Sequence, residues 1–266
     1  MALTLTERWM QALRKRGVRV HDDRGTLPTH KSKRYTKRDT AKLEGVCWHH
    51  SAGTDVSASA FGSMARYHAG LIPGVVPHLA KTGAPGIAYT FGVVSGGAVH
   101  VFWDLDVMTW SQKGGNTTHI GGVVLGNFRS DGNHHGHEPT HAQRWVVRKV
   151  SRVTRRILQS DSAMWAAVHS DFVDTECPGD NLRRLVVQKM RGELPTFSRV
   201  VDRQRALRQL LGIPLHGERL EVDGLWGPES RAALEEYQRR NGLTVDGLWG
   251  PKTEASVVAA LNAVLS

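Results

Sequence analysis

The residues of this chain best suited to chemistry are His49, His169 and Cys177. A hydrolytic zinc site needs neutral imidazoles or thiolates in a near-tetrahedral array with one position open to water, and these three could supply it. His49 and His50 end a short apolar run, Gly45–Trp48, that has strand character. Alternate strand residues face opposite sides, so only one of the pair can face a shared metal. His169 likewise follows an apolar run, Trp165–Val168, and Cys177 lies eight residues on, behind a loop able to fold back to the same mouth. Taken alone the pattern says little, because a histidine satisfied in a core or at the surface is commoner than a ligand. Cys47 falls on the same strand face as His49 and reads as a packed residue, since a fourth protein ligand would close the site. His50 points away from His49 and reads as structural. His134, His135, His137 and His141 lie in a Gly-rich stretch and read as a solvated loop rim.

The elements that would position these residues alternate between strand and helix. Leu5, Trp9, Ala12 and Leu13 make a helical stripe stopped at Gly17. Strands are predicted at Gly45–Trp48, Gly86–Val94, Ala98–Trp103, Ile120–Leu125 and Trp165–Val168, with a short helix at Ala58–His68. Thr140 and Gln143 form a capping-box signature before a long helix carrying Val146, Val150, Val153 and Ile157. Its Arg148, Lys149, Arg152, Arg155 and Arg156 lie mainly off that stripe and read as solvated surface. Leu182–Met190 reads as a further helix. Such alternation in one unit predicts an α/β domain with a central mixed sheet flanked by helices.

Composition narrows the class. Of 266 residues, 40% are hydrophobic and 23% charged, enough apolar surface to offset chain ordering and exclude a wholly disordered chain. No run approaches the about 20 apolar residues of a membrane span, so no membrane insertion is expected. The start lacks the uninterrupted apolar core of a signal peptide, which predicts a protein kept in the cytoplasm until released. Two cysteines are far too few for a disulfide scaffold. Residues 1–45 hold 12 Lys+Arg against 5 Asp+Glu, whereas residues 197–266 hold 9 of each. A basic front end suits a polyanion such as nucleic acid, acidic lipid or an anionic wall. No base-reading motif accompanies it, so no nucleic-acid partner is expected. The stretch from Lys31 to Lys42 also fits a solvated, partly disordered arm.

Four ordered blocks then resemble a known family: Cys-Trp-His49-His50-Ser-Ala-Gly; Gly86-Ile-Ala-Tyr89-Thr-Phe; Asn116-Thr-Thr-His-Ile-Gly-Gly-Val-Val-Leu-Gly-Asn127-Phe; and His169-Ser-Asp-Phe-Val-Asp-Thr175-Glu-Cys177-Pro-Gly-Asp. Together they look like the motifs of the zinc amidase and peptidoglycan-recognition-protein superfamily, with the Thr-Glu-Cys-Pro-Gly-Asp run the most specific. The resemblance implies one zinc ion on His49, His169 and Cys177, a catalytic Tyr89 and a hydrogen-bonding Thr175. It implies hydrolysis of the amide between N-acetylmuramic acid and L-alanine, by a zinc-activated water with Tyr89 and Thr175 orienting it or stabilising the oxyanion. His68, Asn116, His119 and Asn127 are candidate substrate contacts. Some relatives carry a glutamate base in the strand corresponding to Ile120–Leu125. Here Val123, Val124 and Leu125 stand there, which fits the tyrosine branch. One departure stands out: many relatives have a histidine after the residue corresponding to Trp110, and this chain has Ser111. His68, His78 or His119 could fill that place.

Past a linker at 193–198, Val222-Asp-Gly-Leu-Trp-Gly-Pro228 recurs as Val245-Asp-Gly-Leu-Trp-Gly-Pro251. Each copy sets an Asp-Gly turn and a tryptophan before a proline suited to a first helical turn. Helices at 200–211, 229–241 and 252–264 predict a small all-α, three-helix domain. It resembles the peptidoglycan-binding module attached to wall hydrolases. Trp226 and Trp249 could stack on sugar, although their fixed place before a helix favours a core role.

The expected organisation is a basic segment with one amphipathic helix (1–42), a zinc amidase domain (43–192) and a wall-binding domain (199–266). The combination looks like a phage endolysin: a monomer acting on peptidoglycan and dependent on a holin-type lesion for access. The alternatives are a recognition protein without turnover and a zinc peptidase cutting elsewhere in the stem peptide.

Overall fold

Thr4 and Glu7 close a capping box at the start of α1 (Leu5–Arg14), whose inner face buries Trp9, Met10 and Leu13. The computed structural model describes residues 3–77, 80–129, 138–190, 200–211, 220, 222 and 224–265. These fall into two compact units, the first reaching residue 190 and the second starting at residue 200. The expected linker and His78, His134, His135 and His137 lie outside the described residues.

The first unit is built on a mixed sheet of β1 (Val20–Asp22), β2 (Gly45–His50), β3 (Phe91–Val93), β4 (Val99–Val101), β5 (His119–Val124) and β6 (Ala166–Val168). Their spatial order is β1-β4-β3-β5-β2-β6, and among these pairs only β3 with β4 is antiparallel. Strand alternation divides the sheet into two faces. Val46, Trp48, Phe91, Ile120, Val124 and Val168 pack with Trp9 and Leu13 of α1 and with Val146, Val147 and Val150 of α3 (His141–Leu158). On the other face Val123 and Leu125 pack with Phe61 and Ala65 of α2 (Ser59–His68). Cys47 and His49 belong to this second face by alternation.

Two buried indoles tie the first layer together. Trp9 Nε1 donates to Thr154 Oγ1 at 2.8 Å and Trp48 Nε1 donates to Ser151 Oγ at 2.9 Å, so α3 satisfies both polar edges while their rings fill the core. The Thr140–Gln143 capping box is present, and His141 is simply the first residue of α3.

Several elements differ from the sequence expectation. The strand expected at Gly86–Val94 is confined to Phe91–Val93, because side chains take the preceding main-chain groups. Tyr35 Oη donates to Gly86 O at 3.1 Å, Trp103 Nε1 donates to Ile87 O at 2.9 Å, and Ala88 N donates to His68 Nδ1 at 3.1 Å. The helix expected at Leu182–Met190 starts earlier, as α4 (Asp180–Arg183), and widens into a π-helical stretch, Arg184–Met190. β1 was not predicted at all; three residues of mixed polarity give no period, and only β4 makes them a strand.

The basic stretch after it is not a disordered arm. Arg38 N donates to Asp106 O at 2.7 Å, Met108 N donates to Thr36 O at 2.9 Å, and Lys33 Nζ donates to Thr82 Oγ1 at 2.7 Å. Hydrogen bonding along the main chain, invisible to a charge count, seats it.

The second unit contains α5 (Val200–Leu211), α6 (Pro228–Arg240) and α7 (Pro251–Leu265) around Leu207, Leu234, Tyr237, Val257 and Leu261. Each repeated loop hangs on a buried glutamine of the helix before it. Gln204 Nε2 donates to Leu225 O at 3.0 Å and Gln238 Nε2 donates to Leu248 O at 3.1 Å. Among the described residues, no helix is long and apolar enough to cross a membrane.

Candidate metal centre

Parallel pairing of β2 with β6 carries the register Val46↔Ala166, Cys47↔Ala167, Trp48↔Val168. One step further along both strands stand His49 and His169. Neighbouring strands lie about 4.8 Å apart, and the two imidazole centroids are 4.5 Å apart. His169 opens a turn of 3-10 helix, His169–Asp171, whose Asp171 Oδ2 accepts from Val168 N at 2.8 Å and fixes the exit from β6.

Cys177 reaches the same place through its loop. Thr175 Oγ1 accepts from Cys177 N at 3.2 Å, and Gly179 N donates to Glu176 O at 2.7 Å. Gly179 has φ +83°, and a Cβ there would lie 2.4 Å from the main chain of Phe128, so glycine alone lets the loop lie against that residue. Cys177 Sγ comes to 3.6 Å from His49 Nδ1. One ligand atom each from His49, His169 and Cys177 lie within 4.8 Å of one another. Carboxyl ends of parallel strands are where open α/β sheets leave room for ligands.

Burial shapes the electrostatics. It holds the His49 imidazole well below its ordinary pKa, with His169 adding to the effect, so the ring is neutral and able to donate a lone pair. Burial also pushes the Cys177 thiol up to about 12 although part of its surface remains accessible. The protein alone thus disfavours a bare thiolate; a cation among these three atoms would reverse that preference. Two imidazole nitrogens and a sulfur, grouped this closely, fit zinc by donor type.

Tyr89 packs beside the cluster with its ring centroid 5.1 Å from that of His49. Burial pushes its hydroxyl pKa upward, so it remains a proton-bearing donor. His68 stands behind Tyr89 at 5.7 Å between centroids, is 3% exposed, and accepts from Ala88 N. It holds the Tyr89 segment rather than opening to a groove.

The other expected substrate contacts have the following hydrogen bonds. His119 is buried, with Nε2 donating to Met164 O at 2.9 Å and Nδ1 paired with Thr118 Oγ1 at 2.9 Å. Asn116 Oδ1 accepts from Gln112 N at 2.9 Å. Asn127 Oδ1 accepts from Arg129 N at 3.3 Å. Each thus makes at least one hydrogen bond within the fold. In the second unit Trp226 and Trp249 pack edge to face at 6.3 Å against the helical core, and Trp249 Nε1 donates to Glu254 Oε2. Both rings are partly buried and pack against that core from its edge.

Sequence reasoning missed Gln112. It is 1% exposed, and its Oε1 lies 3.2 Å from His49 Nε2. A polar residue in a Gly-rich stretch carries no signal of burial; only its position after Ser111, where the family pattern breaks, could have drawn attention. Cys47, read as packed, is fully buried with its Sγ 3.5 Å from His49 Nε2.

Comparison with known proteins agrees with this architecture. Residues 198–256 match the family "Putative peptidoglycan binding domain". A search of curated proteins returned no match. Among solved structures, the first unit's fold is similar to Drosophila peptidoglycan recognition protein SD, at 14% identity over 64% of this chain and 94% of that one, with a TM-score of 0.51. Bumblebee peptidoglycan recognition protein SA gives 13% identity over 65% and 96%, with a TM-score of 0.51. The N-acetylmuramoyl-L-alanine amidase LysC of Clostridium intestinale gives 16% identity over 63% and 94%, with a TM-score of 0.43. The first unit therefore has the fold of the peptidoglycan recognition proteins, and the second falls within a stretch similar to a putative peptidoglycan binding domain.

Proposed function

We propose that this chain is a zinc-dependent N-acetylmuramoyl-L-alanine amidase, cutting peptidoglycan between the lactyl group and L-alanine. The observation that carries the reading is the convergence of His49, His169 and Cys177, with Tyr89 beside them. The four sequence blocks and the wall-binding module support the choice of substrate. Zinc, when bound, supplies Lewis acidity that activates water near neutral pH and polarises an amide carbonyl.

The chain's own residues do the rest. Tyr89 keeps its proton and donates a hydrogen bond toward the oxygen that gains charge as the amide is attacked. Thr175 holds the Cys177 loop in place through the main chain. The second unit keeps the enzyme on its polymer, raising the effective concentration of amide bonds. Lysis of a host cell from within, after a holin-type lesion opens the membrane, is the biological role we propose for this activity.

Ser111, standing where relatives carry histidine, favours the second reading, recognition of peptidoglycan without turnover. Digestion of purified peptidoglycan by the zinc-loaded chain, with chelated and His169→Ala controls, separates the two. Free L-alanine amines matched by peptide-free glycan strands, read by mass spectrometry, establish the amidase. Cuts elsewhere in the stem peptide mean a peptidase, and retention on the wall with no new ends means recognition alone.

A further inference from the structure

We propose that Gln112 fixes the tautomer of His49 and so aims its Nδ1 lone pair into the space shared with His169 and Cys177. The proposal rests on reading those three residues as metal ligands. It follows from a chain of hydrogen bonds anchored on a carbonyl that can only accept, with Cys47 Sγ, 3.5 Å from His49 Nε2, as a second and weaker acceptor.

The carbonyl oxygen of His119 can only accept, and Gln112 Nε2 lies 3.0 Å from it. The amide nitrogen of Gln112 therefore faces β5, and its oxygen faces the other way. That oxygen, Oε1, lies 3.2 Å from His49 Nε2 and also accepts from the hydroxyl of Ser111. An amide oxygen cannot donate, so His49 Nε2 must carry the proton. A neutral imidazole has one N–H, which leaves Nδ1 as the lone-pair atom. Nδ1 is the atom that lies 3.6 Å from Cys177 Sγ.

The rest of the surroundings hold Gln112 in this pose. Its main-chain N donates to Asn116 Oδ1 at 2.9 Å. Gly121 makes the room: a Cβ there would sit 2.1 Å from Ser111 Oγ and 3.2 Å from Gln112 Oε1. Ser111 thus has a positive role, since its hydroxyl helps to orient the oxygen that orients His49. Outer partners of metal-bound histidines set ring orientation and tautomer in this way, and losing one costs about 10–100-fold in metal affinity. Gln112 is a positioning residue and touches no substrate.

The test uses the full chain with 15N-labelled histidine, metal-free, and reads His49 by long-range 1H–15N correlation. The expected result is Nε2–H in the wild type and a mixture containing Nδ1–H in Gln112→Leu. Zinc affinity, measured by competition with a chromogenic chelator, should fall about 10–100-fold in Gln112→Leu. Gln112→Glu keeps an acceptor oxygen toward Nε2 and should keep Nε2–H, with lower stability because its second oxygen has no proton to give His119 O. Nδ1–H in the wild type overturns the proposal, as does a folded Gln112→Leu protein with unchanged tautomer and affinity. Should that variant not fold, Gln112→Glu decides instead, and loss of Nε2–H there overturns the proposal. A wild type that is Nε2–H yet binds no zinc would uphold the tautomer assignment and overturn the metal reading.

Discussion

The guanidinium of Arg38 donates to the carbonyl oxygen of His119 at 2.7 Å from a site that is 7% exposed. It donates also to Asn116 O at 2.6 Å and to Val107 O. One buried cation thereby binds the basic amino-terminal stretch to the turn that leads into β5. Burial pulls its pKa down to about 10, which still leaves it charged at neutral pH.

Removing that side chain takes one donor from each of three carbonyl groups inside the fold, of which His119 O keeps Gln112 Nε2 and Val107 O keeps Thr109 N. Arg38→Ala should cost roughly 2–4 kcal/mol of stability. Arg38→Lys should recover only part of the loss, because an ammonium lacks the planar fork that reaches separate carbonyls. Urea denaturation of the two variants beside the wild type measures both; equal midpoints for all three would show that the contacts carry no net stability.

The metal site and the hydroxyl beside it should separate cleanly. Cys177→Ser should lower zinc occupancy and abolish amide hydrolysis. Tyr89→Phe should keep zinc and slow hydrolysis by about 100-fold, the usual loss for one oxyanion donor. Metal analysis by mass spectrometry with a peptidoglycan digestion assay reads the two effects; normal rates in Cys177→Ser would sink the ligand assignment. Chelation should remove activity and added zinc should return it.

His119 gives stability a pH slope of known sign. Burial lowers its folded pKa below the ordinary 6.5, so between the folded and unfolded values the unfolded chain binds the extra proton. Its contribution is fully present above about pH 6.5 and falls as pH drops toward the folded pKa, by at most about 1.4 kcal/mol per pH unit. Denaturation midpoints at pH 7, 6 and 5 should therefore fall less steeply in His119→Gln than in the wild type. Parallel slopes would show that His119 titrates alike in both states.

Gln238, 1% exposed, donates to Asp246 Oδ1 at 2.8 Å and to Leu248 O, and accepts from the main-chain N of Asp246 and Gly247 at 3.1 and 3.0 Å. Gln238→Ala should destabilise the second unit by roughly 2–4 kcal/mol, through the unpaired main-chain groups left behind. Wall sedimentation should weaken with it, while zinc binding stays at the wild-type level. Unchanged sedimentation together with lower stability would place the wall contact away from the second repeated loop.

What the sequence alone determined was whatever rests on local rules. The capping boxes at Thr4 and Thr140, the stripe of α1, the proline starts of α6 and α7, and the opposed faces of His49 and His50 follow from neighbours within a turn or a pleat. The cluster of His49, His169 and Cys177 was legible as a candidate because a histidine ending a strand, a second histidine doing the same and a cysteine in a distinctive loop are written in short contiguous blocks.

Tertiary structure decided the rest. β1 exists because β4 supplies its partner, and the strand expected at Gly86–Val94 shrank because Tyr35, Trp103 and His68, distant in sequence, took its main-chain groups. Lys31 to Lys42 look solvated by charge, yet Arg38 is buried because carbonyls from residues 107, 116 and 119 converge on it. His119 sits inside one of the four blocks but spends both ring nitrogens on the fold, and Asn116 in the same block spends its Oδ1 there. Gln112 carries no signal beyond its place after Ser111, since its role arises only when β5, the turn before it and His49 meet. Hydrogen bonds between distant segments cannot be read from residue types, because the same amide in water would be satisfied without them.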